Sequence, residues 1–273
     1  KEMELAEKFG VSIINLNDEC YPLVLKKIYD PPPVLYIKGS LVRGDNLAIS
    51  IVGSRRSSLY GQEQASRFAH CLAGAGFTIV SGMARGVDGA AHRGALSAGG
   101  RTIAVQGCGL CNIFPVEHKE LFSAISENGA CVSEFPMEYE PLAENFPSRN
   151  RIIAGLAMAT LVIEASEKSG SLITARIALE NNREVMAIPG KIDSPLNKGS
   201  HRLIKEGAKL VDCIEDIMET LGYIGDGLKS YAAESEQQSV KAVEKAHPNV
   251  NQLKLSENES KIYKCLDNQG RHI

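Results

Sequence analysis

The sequence has no long apolar run, no evident leader and no excess of one charge, and each absence argues against a class of protein. No stretch approaches ~18 consecutive apolar residues, so no transmembrane span is expected. The chain opens Lys1-Glu2-Met3-Glu4 without a basic segment that leads into an apolar one, so no secretory signal is expected. Its 30 basic and 33 acidic residues give a net charge of −3, which does not indicate a nucleic-acid-binding protein, although a local basic patch is still compatible with one.

The cysteine content and the overall composition are typical of a globular protein from a reducing compartment. Of 273 residues, 44% are hydrophobic and 23% are charged, which argues against collagen-like, coiled-coil and wholly disordered chains. Seven cysteines, an odd number, favour reduced thiols and a cytoplasmic location. Cys108 and Cys111 have CxxC spacing, but no second pair completes a zinc site, so neither a metal nor a cofactor is predicted.

Changes in composition divide the chain into four predicted segments. Residues 1–45 form a small N-terminal section that contains a predicted helix over Glu2–Phe9. Residues 46–222 form the main domain. Residues 223–254 are polar and predict a linker, and residues 255–273 resemble the start of a further domain that is cut short.

Short β-rich apolar runs recur through the main domain and alternate with stretches of helical spacing. This alternation predicts an α/β fold, in which helices cover both faces of a doubly wound, mostly parallel sheet. The predicted strands are Leu47–Val52, Phe77–Val80, Thr102–Val105, Ala130–Val132, Thr160–Ile163, Val185–Ile188 and Lys209–Val211.

Two glycine- and serine-rich turns follow strands of this predicted sheet and open helices. Gly53-Ser54-Arg55-Arg56 follows the first of the predicted strands, and Ser169-Gly170-Ser171 follows the fifth. Doubly wound sheets bind ligands beyond the carboxyl ends of their strands, where a helix N-terminus favours anions. We therefore expect the two turns to form one anion cradle; the alternative is that the first is a tight turn with solvated arginines.

Two further arginines lie in Phe146-Pro147-Ser148-Arg149-Asn150-Arg151, ahead of an apolar helical stretch. Because Arg149 and Arg151 are two residues apart, they do not share a helical face, and one is expected to point at a ligand. The alternative is that an arginine pairs with Glu134 or Glu164 and holds the fold.

The helix predicted after Pro115 pairs a lysine with an aromatic ring. Lys119 and Phe122 are three residues apart and are therefore neighbours on one face. Single-stranded nucleic acid is bound by such a combination, a charge for the phosphate and a ring for base stacking. The alternative is that Phe122 packs at the edge of the sheet.

A hydrolytic triad of Ser81, Asp88 and His92 is rejected. Asp88 and His92 share one helical face, and Ser81 lacks the context of a nucleophile elbow. A structural role is expected for these residues, with Asp88 capping the helix that it opens.

Several motifs in order resemble one family, the DprA/Smf DNA-processing proteins of bacterial natural transformation. They extend over roughly residues 20–221, and their number and order make the resemblance specific. The motifs are Tyr21-Pro22, Pro32–Tyr36, Ile51–Arg55, Ser81–Asp88, Ser133–Pro136, Phe146–Leu156, Ser169–Ala175, Ile188–Gly190 and Leu203–Ala208. Cys111 departs from the family pattern, which would have Asp after Gly109-Leu110.

The resemblance implies an extended Rossmann-like domain that binds single-stranded DNA without known catalysis. It also implies a mediator that protects incoming strands and loads the RecA recombinase onto them. We therefore assign the candidate DNA-binding residues as Gly53, Ser54, Arg55, Arg56, Lys119, Phe122, Arg149, Arg151, Ser169, Gly170 and Ser171.

The resemblance also implies a homodimer and a C-terminal winged helix. It places family dimer contacts on His201, Leu203 and Ile204, in the segment His201–Leu210. On this basis residues 255–273 would begin a winged-helix domain, truncated before any recognition helix.

Two other functions stay open. The cradle resembles that of the cytokinin-activating phosphoribohydrolases, the LOG family, with Glu180 as a conceivable acid. Those enzymes need a Gly-Gly pair in the loop, which Ser169–Ala175 lacks. A nucleotide-sensing domain without DNA binding is the other possibility.

Overall fold

The computed structural model describes residues 1–222 of the chain. Lys1–Ile217 form one compact unit, and beyond it only the residues up to Gly222 are described. The predicted linker (223–254) and the predicted winged-helix start (255–273) lie outside the described residues. None of the helices within residues 1–222 is long and apolar enough to span a bilayer.

A nine-stranded sheet with the order β1-β2-β6-β5-β4-β3-β7-β8-β9 forms the centre of the described structure. The β1–β2 and β2–β6 pairs are antiparallel, and every pair from β6 to β9 is parallel. The predicted α/β fold with a mostly parallel sheet is therefore confirmed. The strands are β1 Val11–Asn15, β2 Val34–Gly39, β3 Ala48–Val52, β4 Thr78–Ser81, β5 Thr102–Val105, β6 Ala130–Ser133, β7 Ala159–Val162, β8 Glu184–Ala187 and β9 Lys209–Leu210.

Helices cover both faces of this sheet. Successive residues of a strand point to opposite faces, and Tyr36 and Ile37 accordingly belong to different apolar clusters. The cluster around Ile37 includes residues of α2, α6, α7 and α8, whereas the cluster around Tyr36 includes residues of α1 and α5. The helices are α1 Glu2–Phe9, α2 Leu23–Lys26, α3 Leu59–Gly74, α4 Val87–Ser97, α5 Lys119–Asn128, α6 Asn145–Leu156, α7 Ser171–Glu180 and α8 Lys198–Lys205.

The N-terminal section, residues 1–45, shares the sheet of the main body. Strand β2 pairs with β6 through Tyr36↔Ser133 and the following residues, and β1 adds to its outer side. The Tyr21 hydroxyl donates to the carbonyl of Pro32 (2.8 Å), which holds the connection between the two strands. The section therefore extends the sheet by two antiparallel strands.

The order in which strands are added reverses at β3. From β3 the chain adds β4, β5 and β6 on one side and later β7, β8 and β9 on the other. Strands β3 and β7 pair in parallel from Ile49↔Ala159 to Val52↔Val162, so their carboxyl ends lie side by side. This is a topological switch point, the place where doubly wound folds hold their ligands.

Candidate nucleic-acid interface

A cleft of about 510 Å³ opens at this switch point, and we call it the switch-point cleft. It is lined by both predicted turns, which follow β3 and β7, and by Arg149 of α6. The predicted residues on its wall are Gly53, Ser54, Arg55, Arg56, Arg149, Ser169, Gly170 and Ser171. Turns more than 110 residues apart in the sequence thus meet because their strands are neighbours.

Residues 53–58, which we call the cradle loop, carry the two arginines that line the cleft. Both Arg55 and Arg56 are exposed, and neither forms a salt bridge with a carboxylate of the described residues. Their positive charge is therefore available to a bound anion. The opposite turn adds the N-terminus of α7, where the Ser169 and Ser171 hydroxyls lie 2.7 Å apart and the helix dipole is positive.

An aromatic ring lies between the cleft arginines. The Arg55 guanidinium carbon is 4.9 Å from the centroid of the Phe146 ring, a cation–π distance, and Phe146 is half-buried at the start of α6. Phe114 supports the ring from another side at 5.5 Å between centroids. Phe146 is not among the predicted binding residues, although it stands three residues before Arg149 in the family motif Phe146–Leu156.

The structure places the predicted Lys119–Phe122 pair apart from this cleft. Lys119 is exposed at the start of α5 and does not line the cleft, and the Phe122 side chain is only 7% exposed. Phe122 packs in one apolar cluster with Leu121 and Ile125. The apolar stripe of α5 is wider than expected and includes position 122, so the ring is not presented to a base.

Arg149 and Arg151 lie in different surroundings, and both bind groups of the protein. Arg149 is 3% exposed, and its guanidinium Nη1 donates to the carbonyls of Gly82 (2.9 Å) and Val105. Its Nε has no hydrogen-bond partner within the described residues. Burial lowers the pKa of Arg149 to about 10, which still leaves it charged at neutral pH.

Arg151 holds the fold. Its guanidinium donates two parallel hydrogen bonds to Glu134 (2.8 and 2.7 Å), and its Nε donates to Asp30 (2.8 Å). Arg151 thus pairs with Glu134 and holds the fold, which was the alternative to a ligand contact. It ties α6 to β6 and to the N-terminal section, and Arg151 does not line the cleft.

Asp88 and Arg149 meet around Gly82 at the base of the cleft. The Asp88 carboxylate accepts the backbone N–H groups of Gly82 (3.2 Å) and Ala84 (3.4 Å). Burial raises the pKa of Asp88, and the charge of Arg149 opposes that rise. A side chain on residue 82 would lie 2.7 Å from Arg149 Nη2 and 2.8 Å from Asp88 Oδ2, so only glycine fits between them.

The rejected triad residues make their hydrogen bonds elsewhere. The Ser81 hydroxyl donates to the carbonyl of Ile51 (2.6 Å), and His92 Nδ1 lies 2.7 Å from the hydroxyl of Thr102. Burial lowers the pKa of His92 to about 3, so the ring is neutral. The first contact joins β4 to β3, the second joins α4 to β5, and both are structural.

The CxxC thiols are unsuited to thiolate chemistry. Cys108 is buried, and its thiol donates to the carbonyl of Asn112 (2.8 Å). Burial raises the pKa of Cys108 to about 11 and also raises the pKa of Cys111. Both thiols are protonated at neutral pH.

The segment with the predicted dimer contacts lies on α8 and β9 at one edge of the sheet. Leu203 is 6% exposed and belongs to the core, whereas Ile204 is half-buried beside it. His201 is also half-buried, with Nε2 3.0 Å from the carbonyl of Gly190. On the edge strand β9, Leu210 keeps 43% of its surface exposed.

The sequence profile of one protein family, described as DNA recombination-mediator protein A, matches residues 12–250. The chain belongs to this family. It is the DprA/Smf family that the motifs indicate, so that prediction is confirmed. The match includes every strand of the sheet except the first residue of β1.

Named relatives of the DprA family agree with this assignment. Protein Smf of Escherichia coli is 48% identical over 212 residues, which are 77% of this chain and 57% of that protein. The chain thus spans little more than half the length of this relative. DNA processing protein DprA of Bacillus subtilis is 41% identical over 213 residues, 78% of this chain and 72% of that protein.

Two solved DprA structures share the fold. The X-ray structure of DprA from Streptococcus pneumoniae has a TM-score of 0.74 at 42% identity and covers 80% of this chain and 77% of that one. A structure of DprA from Helicobacter pylori, which concerns single-stranded DNA binding by that protein, has a TM-score of 0.70 at 30% identity. It covers 78% of this chain and 96% of that one, so the Rossmann-like fold is confirmed.

Proposed function

We propose that this chain is a single-stranded DNA-binding recombination mediator, which protects incoming strands and loads RecA onto them in natural transformation. The observation that carries the proposal is the exposed Arg55 stacked on Phe146 in the switch-point cleft. The Helicobacter pylori relative, whose structure concerns single-stranded DNA binding, supports the same ligand here.

The chemistry of the cleft favours a single strand over a duplex. Each nucleotide offers one negative phosphate, which Arg55 and Arg56 can neutralise, and one base with a flat face, which the Phe146 ring can stack on. In a duplex the faces of the bases are covered by neighbouring base pairs, so only an unpaired strand can use both contacts. Arg149, charged at the base of the cleft, adds to the positive potential without needing to leave its buried position.

We also propose that the protein acts without catalysis, in the cytoplasm. The competing LOG-like activity required Glu180 as an acid. Glu180 is the last residue of α7, roughly 9 Å along the helix from Thr174 on the cleft wall at ~1.5 Å per residue, and it is exposed and paired with Arg176 at 3.6 Å. It is therefore not placed to serve a ligand in the cleft.

Titration with oligonucleotides across salt tests the DNA-binding proposal. We expect the protein to bind a single-stranded oligonucleotide more tightly than the matching duplex in fluorescence anisotropy. If about three to five phosphates are neutralised, log affinity falls with log salt at about 0.7 per phosphate. Arg55→Ala should weaken binding and reduce that slope by about 0.7, because one phosphate contact is lost.

Arg85→Ala is the matched control. Arg85 is one of the exposed arginines, but its Nε pairs with Glu117, and it does not line the cleft. Its loss should leave both affinity and slope unchanged. Equal or tighter binding of duplex, or a folded Arg55→Ala variant with normal binding, would contradict the assignment of this cleft.

We further propose a homodimer built on the α8–β9 edge. Besides Ile204 and Leu210, a groove of about 380 Å³ between α7 and α8 exposes apolar side chains, including Leu179 at 57% exposure. In a dimer with a twofold axis, each copy would bury this surface against the same surface of the other copy. The two DNA sites could then bind one strand together. In this proposal RecA loading depends on that pairing of sites.

Ile204→Arg is expected to give monomers. A twofold contact would bury the introduced charge against its own copy, at a cost of roughly 3–5 kcal/mol. Multi-angle light scattering at tens of micromolar should show a wild-type dimer and an Ile204→Arg monomer, which binds short oligonucleotides weakly and fails to load RecA. Val116→Arg, at a side chain 74% exposed outside this segment, should remain dimeric.

Leu203→Arg serves a different purpose. Because Leu203 lies in the core, this variant should misfold rather than dissociate. A wild-type protein that is monomeric at tens of micromolar, or a dimeric Ile204→Arg variant, would rule out this interface.

A further inference from the structure

Glu164, the second residue after β7, reaches across the switch point to the cradle loop. It is 2% exposed, and its backbone carbonyl accepts the N–H of Ser54 at 2.7 Å. Its carboxylate accepts the backbone N–H of Ser58 through Oε2 and the Ser58 hydroxyl through Oε1, both at 2.7 Å. One buried residue thus fixes both ends of the loop that carries Arg55 and Arg56.

The start of α3 is shaped around this carboxylate. Ser58 is the N-cap of α3, and its Oγ accepts the N–H of Gly61 at 3.1 Å while its hydroxyl proton goes to Glu164. A side chain on residue 61 would lie 2.8 Å from Glu164 Oε2, so the glycine leaves room for the carboxylate. The loop, the helix cap and the carboxylate form one connected hydrogen-bond network.

The charge of Glu164 is unusual for its place. No lysine, arginine or histidine of residues 1–222 forms a salt bridge with it, and it lies behind a cleft that would take a phosphate. The buried Glu164 carboxylate would repel a phosphate in the cleft, so its presence there indicates a role that a neutral side chain could not fill. Both partners of its oxygens are donors, and a carboxylate supplies two acceptors where an amide supplies one acceptor and one NH₂ donor.

We propose that Glu164 is a positioning residue for DNA binding: it holds the cradle loop in the conformation that stacks Arg55 on Phe146 and presents the Arg55 guanidinium to the cleft. The inference rests on the proposed function of the cleft. Glu164 does not touch DNA in this proposal, but part of the affinity that Arg55 provides depends on it.

The test is a double-mutant cycle between Glu164→Gln and Arg55→Ala. Glu164→Gln should lower the affinity for a single-stranded oligonucleotide on the order of tenfold, as expected when a charge-assisted hydrogen-bond network is broken. It should also reduce the salt slope by about 0.7, the value for one phosphate contact. The double variant should bind no more weakly than Arg55→Ala alone, because a displaced loop cannot displace an arginine that is absent.

Amide hydrogen exchange without DNA gives a second readout. The N–H groups of Ser54 and Ser58 should exchange faster in Glu164→Gln than in the wild type, while amides of the central strands keep their protection. Glu127→Gln, at an exposed glutamate of α5 that lines neither the cleft nor the groove between α7 and α8, is the matched control and should change neither exchange nor affinity. If Glu164→Gln does not fold, Ser58→Ala keeps the backbone N–H contact to Glu164 and removes the hydroxyl contact together with the cap on Gly61. It should reproduce the faster exchange of the loop and part of the affinity loss.

The outcomes separate this inference from the proposed function. A wild-type protein that does not bind single-stranded DNA would contradict the proposed function itself. If the wild type binds, two results would overturn the positioning role alone. One is a folded Glu164→Gln variant with wild-type affinity; the other is a double variant in which the affinity losses of the two single variants multiply.

Discussion

Replacing Arg149 with methionine is expected to destabilise the folded protein by about 3–5 kcal/mol, the range for leaving a buried charge without the opposite charge that compensates it. Methionine retains an unbranched apolar chain, but the carbonyls of Gly82 and Val105 lose their shared donor. The buried Asp88 carboxylate also loses the cation that opposes its desolvation. Since domains are stable by about 5–15 kcal/mol, urea unfolding should show a large shift of the midpoint.

The pH dependence identifies which group is responsible. Without Arg149, the burial that raises the pKa of Asp88 is opposed only by the hydrogen bonds from Gly82 and Ala84 and by the charge of Arg55, so the folded-state pKa of this carboxyl rises further above its unfolded value. A raised carboxyl pKa favours the folded state when the group is protonated, so the deficit of Arg149→Met should be largest at neutral pH and shrink as pH falls through that folded pKa.

Asp88→Asn is the partner variant for Arg149→Met. The asparagine oxygen can still accept from the N–H groups of Gly82 and Ala84, but residue 88 no longer carries a buried charge that needs Arg149. The double variant should therefore be more stable than the sum of the two single losses predicts. Additive losses, or an Arg149→Met protein as stable as the wild type, would show that the two side chains do not depend on each other.

The elements that the sequence predicts well are those whose signal is local. Each run of buried β-branched and aliphatic residues, such as Leu47–Val52 or Thr102–Val105, forms a strand in the structure. Each end of these strands lies within one residue of the predicted end. The turns at Gly53 and Ser169 were predicted to converge because parallel strands align their carboxyl ends, a rule that needs only strand order. Both line the switch-point cleft.

The features that the sequence did not predict depend on contacts between distant segments. Whether Phe122 or Phe146 can stack on a base depends on which ring is buried. Helical spacing places Phe122 at the edge of the apolar stripe of α5, but in the structure Phe122 packs within the apolar cluster. Strand β2 joins the sheet by pairing with β6, about 100 residues away, and β1 pairs with β2; composition does not encode the β2–β6 pairing. The role of Glu164 is equally non-local, because its partner Ser58 precedes it by 106 residues.

A second large effect is expected at Gly86, the N-cap of α4, where the cradle loop rests on the backbone. Gly86 has φ 73° and ψ −123°, a conformation that residues with a Cβ rarely adopt. A Cβ there would also lie 2.4 Å from the carbonyl oxygen of Ser54 and 2.9 Å from that of Arg55. Gly86→Ala must therefore strain the backbone and push the cradle loop away at the same time.

Gly86→Ala should lower the free energy of unfolding by about 1–3 kcal/mol through backbone strain and weaken single-stranded DNA binding by roughly tenfold or more, because the loop shifts with Arg55. Gly99→Ala separates the two causes. Gly99 has a similar φ of 67°, but no atom lies within 4 Å of the Cβ that it would gain. This control should lose stability in urea unfolding while keeping the DNA affinity and salt slope of the wild type in anisotropy titrations. Equal DNA binding by Gly86→Ala and Gly99→Ala, both folded, would mean that the position of the cradle loop does not govern binding, and the DNA contacts would then have to lie on another surface.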